Sequence, residues 1–209
     1  MDFLPDRIYH IYNQGNNRQK IFREQNDYSI FLNLYKRLFP PFCSTIAWCL
    51  MPNHFHFMIH TDEKCLLKQK QGGLLIDPIT NGLRKLLSGY ARIFNDQYDR
   101  TGSLFRQKTK SKCLSEIATG PECIEEEKVH YMNCFHYIHH NPFRAKLVTF
   151  LEDWEFSSFR DYAGMRQDPL CQKQLASIYC NYDETCFMKD SYQRLDDKMN
   201  DLFPKFSDH

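Results

Sequence analysis

Apolar residues recur along the chain with two periods, and together they predict alternating strands and helices. Segments in which apolar residues alternate or run together predict strands, and apolar residues three and four apart predict helices. The predicted strands are residues 7–13, 44–50, 54–60 and 103–114, and the predicted helices among them are 27–38 and 78–98. This order predicts an α+β fold of the ferredoxin-like split βαβ type. Its antiparallel sheet would carry helices on one face and leave the other face open to a ligand.

Two further segments complete the predicted organisation. Residues 62–75 are polar, contain glycine and predict a loop. Residues 125–138 predict a third long helix, closed by His139, His140, Asn141 and Pro142. Because proline disfavours helical geometry in the preceding residue, Asn141 is expected at or just past the helix end. We divide the chain into a main domain, 1–164, and a C-terminal helical extension of unknown role, 165–209.

Composition places the chain among globular proteins. It has 209 residues, of which 42% are apolar and 15% aromatic, as in a folded domain of ordinary size. The N-terminus lacks a signal-peptide pattern, and no apolar run approaches membrane-spanning length. The nine cysteines are irregularly spaced without any CxxC pair, which favours reduced thiols in a cytoplasmic protein over a disulfide framework.

The net charge of +1 hides an asymmetry between the two halves of the chain. Residues 1–114 contain 17 basic and 9 acidic residues, whereas residues 115–209 contain 10 basic and 17 acidic residues. A basic first half indicates a polyanionic partner held by one face of the molecule.

The densest basic stretch has a cation at every second residue, which would place all four on one face of a strand. These residues are Arg106, Lys108, Lys110 and Lys112, and we name them the basic ridge. An edge strand protected from aggregation by lysines is one interpretation. A phosphate-binding surface is the other, and the strict register favours it.

Two histidines within an apolar strand are the first candidate for chemistry. His54 and His56 are two residues apart, so a strand projects both rings from one face, with Phe55 and Phe57 on the other. Such a pair is either a platform for a divalent metal or two hydrogen-bonded core histidines. A metal would require a third ligand from elsewhere in the chain.

Tyr137 and Asn141 are the second candidate. They are four residues apart, so helical geometry places them on one face, one turn apart. By themselves, such a tyrosine is commonly a core residue and an asparagine before proline is commonly a cap or turn residue.

Taken together, these segments resemble the single-tyrosine HUH transposases, and most closely the branch of REP-associated tyrosine transposases. The matching stretches are residues 9–19 (YHIYNQGNNRQ), 51–56 (MPNHFH), Tyr90 with Asn95, 101–106 (TGSLFR), 137–145 (YIHHNPFRA) and 154–160 (WEFSSFR). They lie in the family order within residues 7–164, and agreement over several blocks is more specific than a single short motif.

The resemblance implies a role for each candidate residue. His54 and His56 would be the HUH histidines, Tyr137 the nucleophile and Asn141 the third metal ligand. The implied protein is a metal-dependent endonuclease and strand transferase for single-stranded DNA. It would use Mg²⁺ or Mn²⁺ and a 5′-phosphotyrosine intermediate in DNA transposition or REP-type hairpin processing. Its partner would be single-stranded or hairpin DNA, and the protein would be a monomer or a homodimer.

The expected DNA contacts are the basic ridge together with Tyr12 and Arg18 of the first matching stretch. Aromatic rings interleaved with basic residues suit base stacking and backbone contacts. For Tyr12, ordinary packing within the sheet is the alternative interpretation.

Two other classes of function remain open from the sequence. One is a domesticated nucleic-acid-binding protein that keeps the fold without transposition. The other is a metal-dependent hydrolase of small phosphoesters that needs no tyrosyl intermediate. The basic ridge favours a polymeric substrate over a small one. The chain contains no GxxxxGK[ST] loop, in agreement with joining chemistry that needs no nucleotide hydrolysis.

Overall fold

The computed structural model describes residues 3–115 and 121–195, without the side chains of residues 121–126. Four of its strands form one antiparallel sheet in the order β2-β3-β1-β6, and the other two form a separate hairpin. The strands are β1 (Ile8–Gln14), β2 (Cys43–Met51), β3 (His54–Thr61), β4 (Gln69–Gln71), β5 (Leu74–Ile76) and β6 (Lys110–Cys113). The four-stranded antiparallel sheet with helices between its strands confirms the predicted α+β class.

Local capping defines where the first two helices begin. The Asp77 side chain accepts a hydrogen bond from the backbone of Thr80, and Pro78 occupies the first turn of the second helix. Glu24 and Asp27 form a capping box at the start of the first helix. The helices are α1 (Gln25–Leu38), α2 (Pro78–Gln97), α3 (Pro121–Arg144), α4 (Phe159–Tyr162), α5 (Lys173–Cys180) and α6 (Phe187–Gln193).

The two faces of the sheet have different partners. On one face, Phe57 stacks on Tyr35 of α1 with ring centroids 3.9 Å apart. The other face carries His54 and His56 and packs against α3. The prediction that this second face is open was therefore wrong. The face also carries buried Met51 and Met58, whose apolar surface gains stability when a helix covers it.

Helix α3 is longer than predicted, because it passes through Pro142 and ends at Arg144. Pro142 has no N–H to donate to the carbonyl of Ile138, but only two more helical residues follow it. The Asn141 side chain donates to the Tyr137 carbonyl at 2.8 Å, and Ala145 donates to the Asn141 carbonyl at 2.9 Å. These bonds support the helix end around the proline. Asn141 thus lies inside the helix and not past its end.

The fourth strand of the sheet is shorter than predicted, because residues 103–109 do not continue the β6 ladder. The side chain of Asn13 donates to the Arg106 carbonyl at 3.2 Å and to the Thr109 hydroxyl at 2.9 Å. Between the Tyr12–Lys110 pair and the isolated Gly15–Phe105 bridge, this segment contains more residues than β1 does, so it bulges outward. The single row of four cations predicted for the basic ridge was therefore wrong: only Lys110 and Lys112 share a strand.

The predicted loop at residues 62–75 contains a hairpin. Gly72 and Gly73 connect β4 and β5 with φ angles of 52° and 86°. Two consecutive positive φ angles are the requirement of a two-residue hairpin turn, and glycine meets it at little steric cost. The Gly-Gly pair was the sequence signal for this hairpin.

The C-terminal helices α5 and α6 pack against α3, and α5 also contacts strand β2 of the sheet. His139 Nε2 lies 2.7 Å from the Ser158 hydroxyl, and His140 donates from Nε2 to the Ser191 carbonyl at 3.0 Å. Residues 173–193 therefore help to hold α3, which carries Tyr137. The division of the chain at residue 164 stays a prediction.

Several residues of the matching stretches are explained by contacts within the fold. The backbone N–H of Asn16 donates to the Leu104 carbonyl at 2.8 Å, and the backbone N–H of Arg106 donates to the Gln14 carbonyl at 2.9 Å. Trp154 donates from its indole to the Leu50 carbonyl at 3.0 Å. These bonds join stretches that are far apart in sequence and hold the loops at the end of the sheet.

We expect the Gly15→Ala variant to lose stability. A Cβ at this position would overlap the backbone oxygen of Gln19, which cannot move as a flexible side chain can. Overpacking of this kind typically costs about 1–3 kcal/mol. Gly89→Ala is the matched control, because Gly89 lies in helix α2 with open space around it and should gain about 0.5–1 kcal/mol. Urea unfolding checks both values, and equal stability of the two variants would contradict the steric argument.

No helix within the described residues is long and apolar enough to cross a membrane. The eight cysteines whose side chains are described are all free thiols. Six of them are buried.

Candidate functional site

Strand β3 places His54 and His56 on the same face of the sheet, as predicted. Their ring centroids are 5.0 Å apart, and the ring planes are inclined by 87°. Both rings are buried, with exposures of 1% and 0%. His54 is paired with Met51 and Gln14 on the neighbouring strands, and His56 with Cys49 and Tyr12. Strand β3 lies between β2 and β1, so strands on both sides fix the backbone of the two histidines.

Helix α3 brings the other two predicted residues to the same place. The Tyr137 ring meets the His56 ring edge-on, with centroids 5.5 Å apart. The Asn141 side chain forms hydrogen bonds with His54 and with Tyr137, in addition to its bond to the Tyr137 carbonyl. The structure thus gathers all four predicted residues around one point between β3 and α3.

Burial dominates the electrostatics of these groups. It lowers the pKa of His54 to about 3, against a smaller opposite effect of the Asn141 hydrogen bond. Burial also lowers the pKa of His56 well below its ordinary value, aided by the neighbouring histidines. Both rings are therefore neutral at pH 7, the state in which imidazole binds a metal. Burial raises the pKa of Tyr137, and the Asn141 hydrogen bond lowers it.

His10 belongs to this site, although the sequence reasoning did not select it. Its Nε2 lies 2.9 Å from Nδ1 of His56, and the two rings stack with centroids 5.1 Å apart. The Tyr12 ring follows at 4.9 Å from His10 on the same strand. The signal was available in principle, because His10 and Tyr12 are two residues apart and share a face. Using it required the register of β1 on β3.

Arg144 is a second residue that the sequence reasoning missed. It follows Tyr137 by seven residues and Asn141 by three, so all three lie on one face of α3. Burial lowers the pKa of Arg144, and its proximity to Tyr137 raises it. Tyr12, Asn141 and Arg144 are only partly buried. These three residues form the margin of the site, which is its solvent-accessible part.

The basic ridge is divided between two positions. Lys110 and Lys112 lie opposite Tyr12 and His10 on β1, and therefore on the face that carries the histidines. Lys112 Nζ also lies 3.5 Å from His130 Nε2 on α3. Arg106 and Lys108 precede the strand, and all four side chains are exposed.

An open groove of about 790 Å³ runs between α2 and residues 102–111. It has an apolar floor that includes Leu83 and Leu87, and its cations include Arg84 of α2. The ridge residues that line it are Arg106, Lys108 and Lys110. The groove adds Arg84 to the cations that a polyanion would meet.

The two other predicted DNA contacts differ in their surroundings. Tyr12 lies beside the site, with its ring 5.9 Å from that of His56. Arg18 is exposed in the turn after β1, at a φ of 58°. Phe105, which belongs to the matching stretch 101–106, packs in the core against Phe31 and Phe55. Phe105 is therefore a core residue.

The donor set at the site fits a divalent metal. His54 Nδ1 lies 2.5 Å from the amide oxygen of Asn53, and His56 Nδ1 contacts His10. In metal sites the second ring nitrogen of a histidine ligand is usually held in this way. No three His, Cys, Asp or Glu side chains among the described residues form a metal-binding group. A metal here would therefore require the amide oxygen of Asn141 as its third protein ligand.

Comparison with solved structures shows the same fold in a nucleic-acid enzyme. A REP-associated tyrosine transposase, solved bound to a REP hairpin, has a TM-score of 0.52 and 15% sequence identity. The alignment covers 81% of this chain and 87% of that chain. A bacterial tRNA(His) guanylyltransferase-like protein in complex with GTP aligns over 68% of each chain, with a TM-score of only 0.36 and 9% identity. No protein-family model and no curated protein matches the sequence.

Proposed function

We propose that this protein is a metal-dependent endonuclease and strand transferase for single-stranded or hairpin DNA, with Tyr137 as its nucleophile. The observation that carries the proposal is the convergence of His54, His56, Tyr137 and Asn141 at one point between β3 and α3. These residues come from separate parts of the sequence, and the resemblance assigns a role to each of them. The shared fold with a REP-associated tyrosine transposase supports DNA processing.

The Tyr137 hydroxyl would attack the scissile phosphate. A bond forms between the phenolic oxygen and phosphorus, and the bond from phosphorus to the DNA 3′ oxygen breaks. The phenol gives up its proton to solvent and the 3′ oxygen gains one, so the products are a 5′-phosphotyrosine and a DNA 3′-OH. Rejoining is the reverse reaction, in which a DNA 3′-OH attacks the phosphotyrosine. It needs no nucleotide, because the phosphate stays esterified to Tyr137 between the two steps.

Other residues of this site would prepare that attack. Since burial raises the pKa of Tyr137, its hydroxyl is protonated at neutral pH and needs assistance. The Arg144 guanidinium on the same helix face would stabilise negative charge on the phenolic oxygen and the phosphate. His54, His56 and Asn141 would hold Mg²⁺ or Mn²⁺. When bound, such an ion supplies charge neutralisation and orientation of the phosphate.

We expect the basic ridge and Arg84 to contribute to DNA affinity without specifying sequence. Replacing Arg84 or Lys108 by alanine should weaken binding to all single strands alike, because each cation releases counterions from phosphate. It should also reduce the slope of log affinity against log salt by about one unit. Fluorescence anisotropy at several salt concentrations measures this slope. Lys189→Ala is the control, since Lys189 is an exposed cation on α6. An unchanged slope in a variant that carries both the Arg84→Ala and the Lys108→Ala substitution would contradict a role of these two cations in DNA binding.

A DNA-binding protein without strand transfer is the second candidate function. The observation that favours it is burial, because Tyr137 exposes only 8% of its surface and the two histidines expose less. A phosphate has to reach these groups through the margin formed by Tyr12, Asn141 and Arg144.

One experiment separates the two candidates. The protein is incubated with end-labelled hairpin DNA and Mn²⁺, and the products are separated by denaturing electrophoresis. A covalent protein–DNA adduct together with a shortened DNA carrying a 3′-OH supports strand transfer. Retention of intact DNA by a protein that binds it would support the second candidate and overturn the first.

A further inference from the structure

We propose that His10 is a positioning residue for His56. Its Nε2 would accept the hydrogen on Nδ1 of His56, and this bond would fix the tautomer in which the His56 Nε2 lone pair is presented to a metal ion. The inference rests on the metal site of the proposed function, but it depends neither on Tyr137 nor on DNA.

The contact between the two rings is set by the strand register. His10 lies opposite Met58 and Tyr12 lies opposite His56, so His10 is a diagonal neighbour of His56 on the same face. Their nitrogens approach to 2.9 Å, and the ring planes differ by only 22°. Both side chains are buried in the sheet, with exposures of 0%. The strands therefore hold the two rings in this arrangement without help from a ligand.

Only one direction of this hydrogen bond is compatible with metal binding by His56. If His10 donates, His56 carries its proton on Nε2, and that nitrogen has no lone pair for a metal. If His56 donates from Nδ1, its Nε2 can bind the ion. A neutral His10 that carries its own proton on Nδ1 presents Nε2 as an acceptor, and this is the nitrogen that faces His56.

His54 shows the same device with a different partner. Its Nδ1 lies 2.5 Å from the Asn53 amide oxygen, which can only accept a hydrogen bond. His56 cannot use its own preceding residue, because that residue is Phe55, an apolar side chain facing the other side of the sheet. The neighbouring strand supplies His10 instead. Each candidate ligand thus has one partner that fixes its Nδ1.

The tautomer can be measured directly in the wild-type protein without metal. Long-range proton–nitrogen NMR correlations distinguish Nδ1–H from Nε2–H imidazole, and loss of signals in single His→Asn variants assigns the rings. We expect His56 and His54 to carry their protons on Nδ1. A proton on Nε2 of His56 would overturn the inference, and this result requires no variant of His10 to fold.

Metal affinity provides the second measurement. Mn²⁺ binding, followed by the EPR signal of unbound Mn²⁺, should weaken about 10- to 100-fold in His10→Phe, the range typical for loss of such a partner. His10→Gln should recover most of the affinity, because its amide oxygen can accept from His56. His60→Phe is the matched control, since His60 lies on the same strand as His56 but contacts Asp6 and Tyr179 and not the site.

Each outcome decides the role of His10. Wild-type affinity in His10→Phe would overturn it, and so would a His10→Gln variant as weak as His10→Phe, because packing alone would then explain the loss. Failure of the wild-type protein to bind Mn²⁺ would overturn it together with the metal site. If Mn²⁺ binds as expected and no DNA is cleaved, the proposed function fails and the role of His10 stands.

Discussion

We expect the Tyr137→Phe variant to form no covalent adduct with hairpin DNA and to leave the DNA uncut. The variant removes the one oxygen that the proposed mechanism uses as nucleophile, while the ring still packs against His56 and the helix keeps its shape. The cost to folding is the loss of one hydroxyl, typically about 1 kcal/mol for a buried neutral hydrogen bond. DNA affinity should change little, because the ridge cations are untouched.

Tyr131→Phe is the matched control for this experiment. Tyr131 lies on the same helix and is also buried, and its hydroxyl bonds with Ser115 and Glu127 outside the site. It should lose a comparable amount of stability and cleave DNA as the wild type does. If Tyr137→Phe still cuts and joins hairpin DNA, the nucleophile is another group or water, and the tyrosine mechanism is wrong for this chain.

The parts of the fold that the sequence predicted are those governed by local periodicity. The His-x-His strand, the first helix and the placement of Tyr137 beside Asn141 follow from periods of 2.0 and 3.6 residues. The predictions that failed concern features that depend on tertiary contacts. The bulge before Lys110 requires the side chain of Asn13, which lies 96 residues away from Thr109. The continuation of α3 through Pro142 requires a helix that ends soon afterwards and an amide that caps it.

The residues of the candidate site also divide into those that the sequence predicted and those that only the tertiary structure reveals. His54 and His56 could be chosen because their chemistry is visible within three residues. Tyr137 and Asn141 could be chosen because a family resemblance assigns them, since each is commonplace alone. His10 and Arg144 could not be chosen, because their roles appear only when β1 pairs with β3 and when α3 covers the sheet. The packing of α3 on the second face was missed because the apolar residues of that face, among them Met51 and Met58, are interspersed with histidines.

The second large effect concerns the metal ligands, for which we expect two degrees of loss. Replacing both His54 and His56 by asparagine should abolish Mn²⁺ binding and cleavage at every Mn²⁺ concentration, because no imidazole ligand then remains. Asparagine keeps a polar side chain at each position, and circular dichroism and thermal melting would test whether the variant folds. Asn141→Ala should behave differently, since it removes one ligand of three.

For Asn141→Ala we expect weaker Mn²⁺ binding and cleavage that is partly restored as the Mn²⁺ concentration rises. The histidines would still hold the ion, and water would occupy the position of the amide oxygen. Asn141→Asp should need less Mn²⁺ than Asn141→Ala, because a carboxylate retains an oxygen ligand. Mn²⁺ titrations of the cleavage reaction, with His60→Asn as control, give these values.

Full activity of the double histidine variant would exclude the metal site. An Asn141→Ala variant that no Mn²⁺ concentration restores would show that Asn141 acts on Tyr137 rather than on the ion, since its side chain bonds with both Tyr137 and His54.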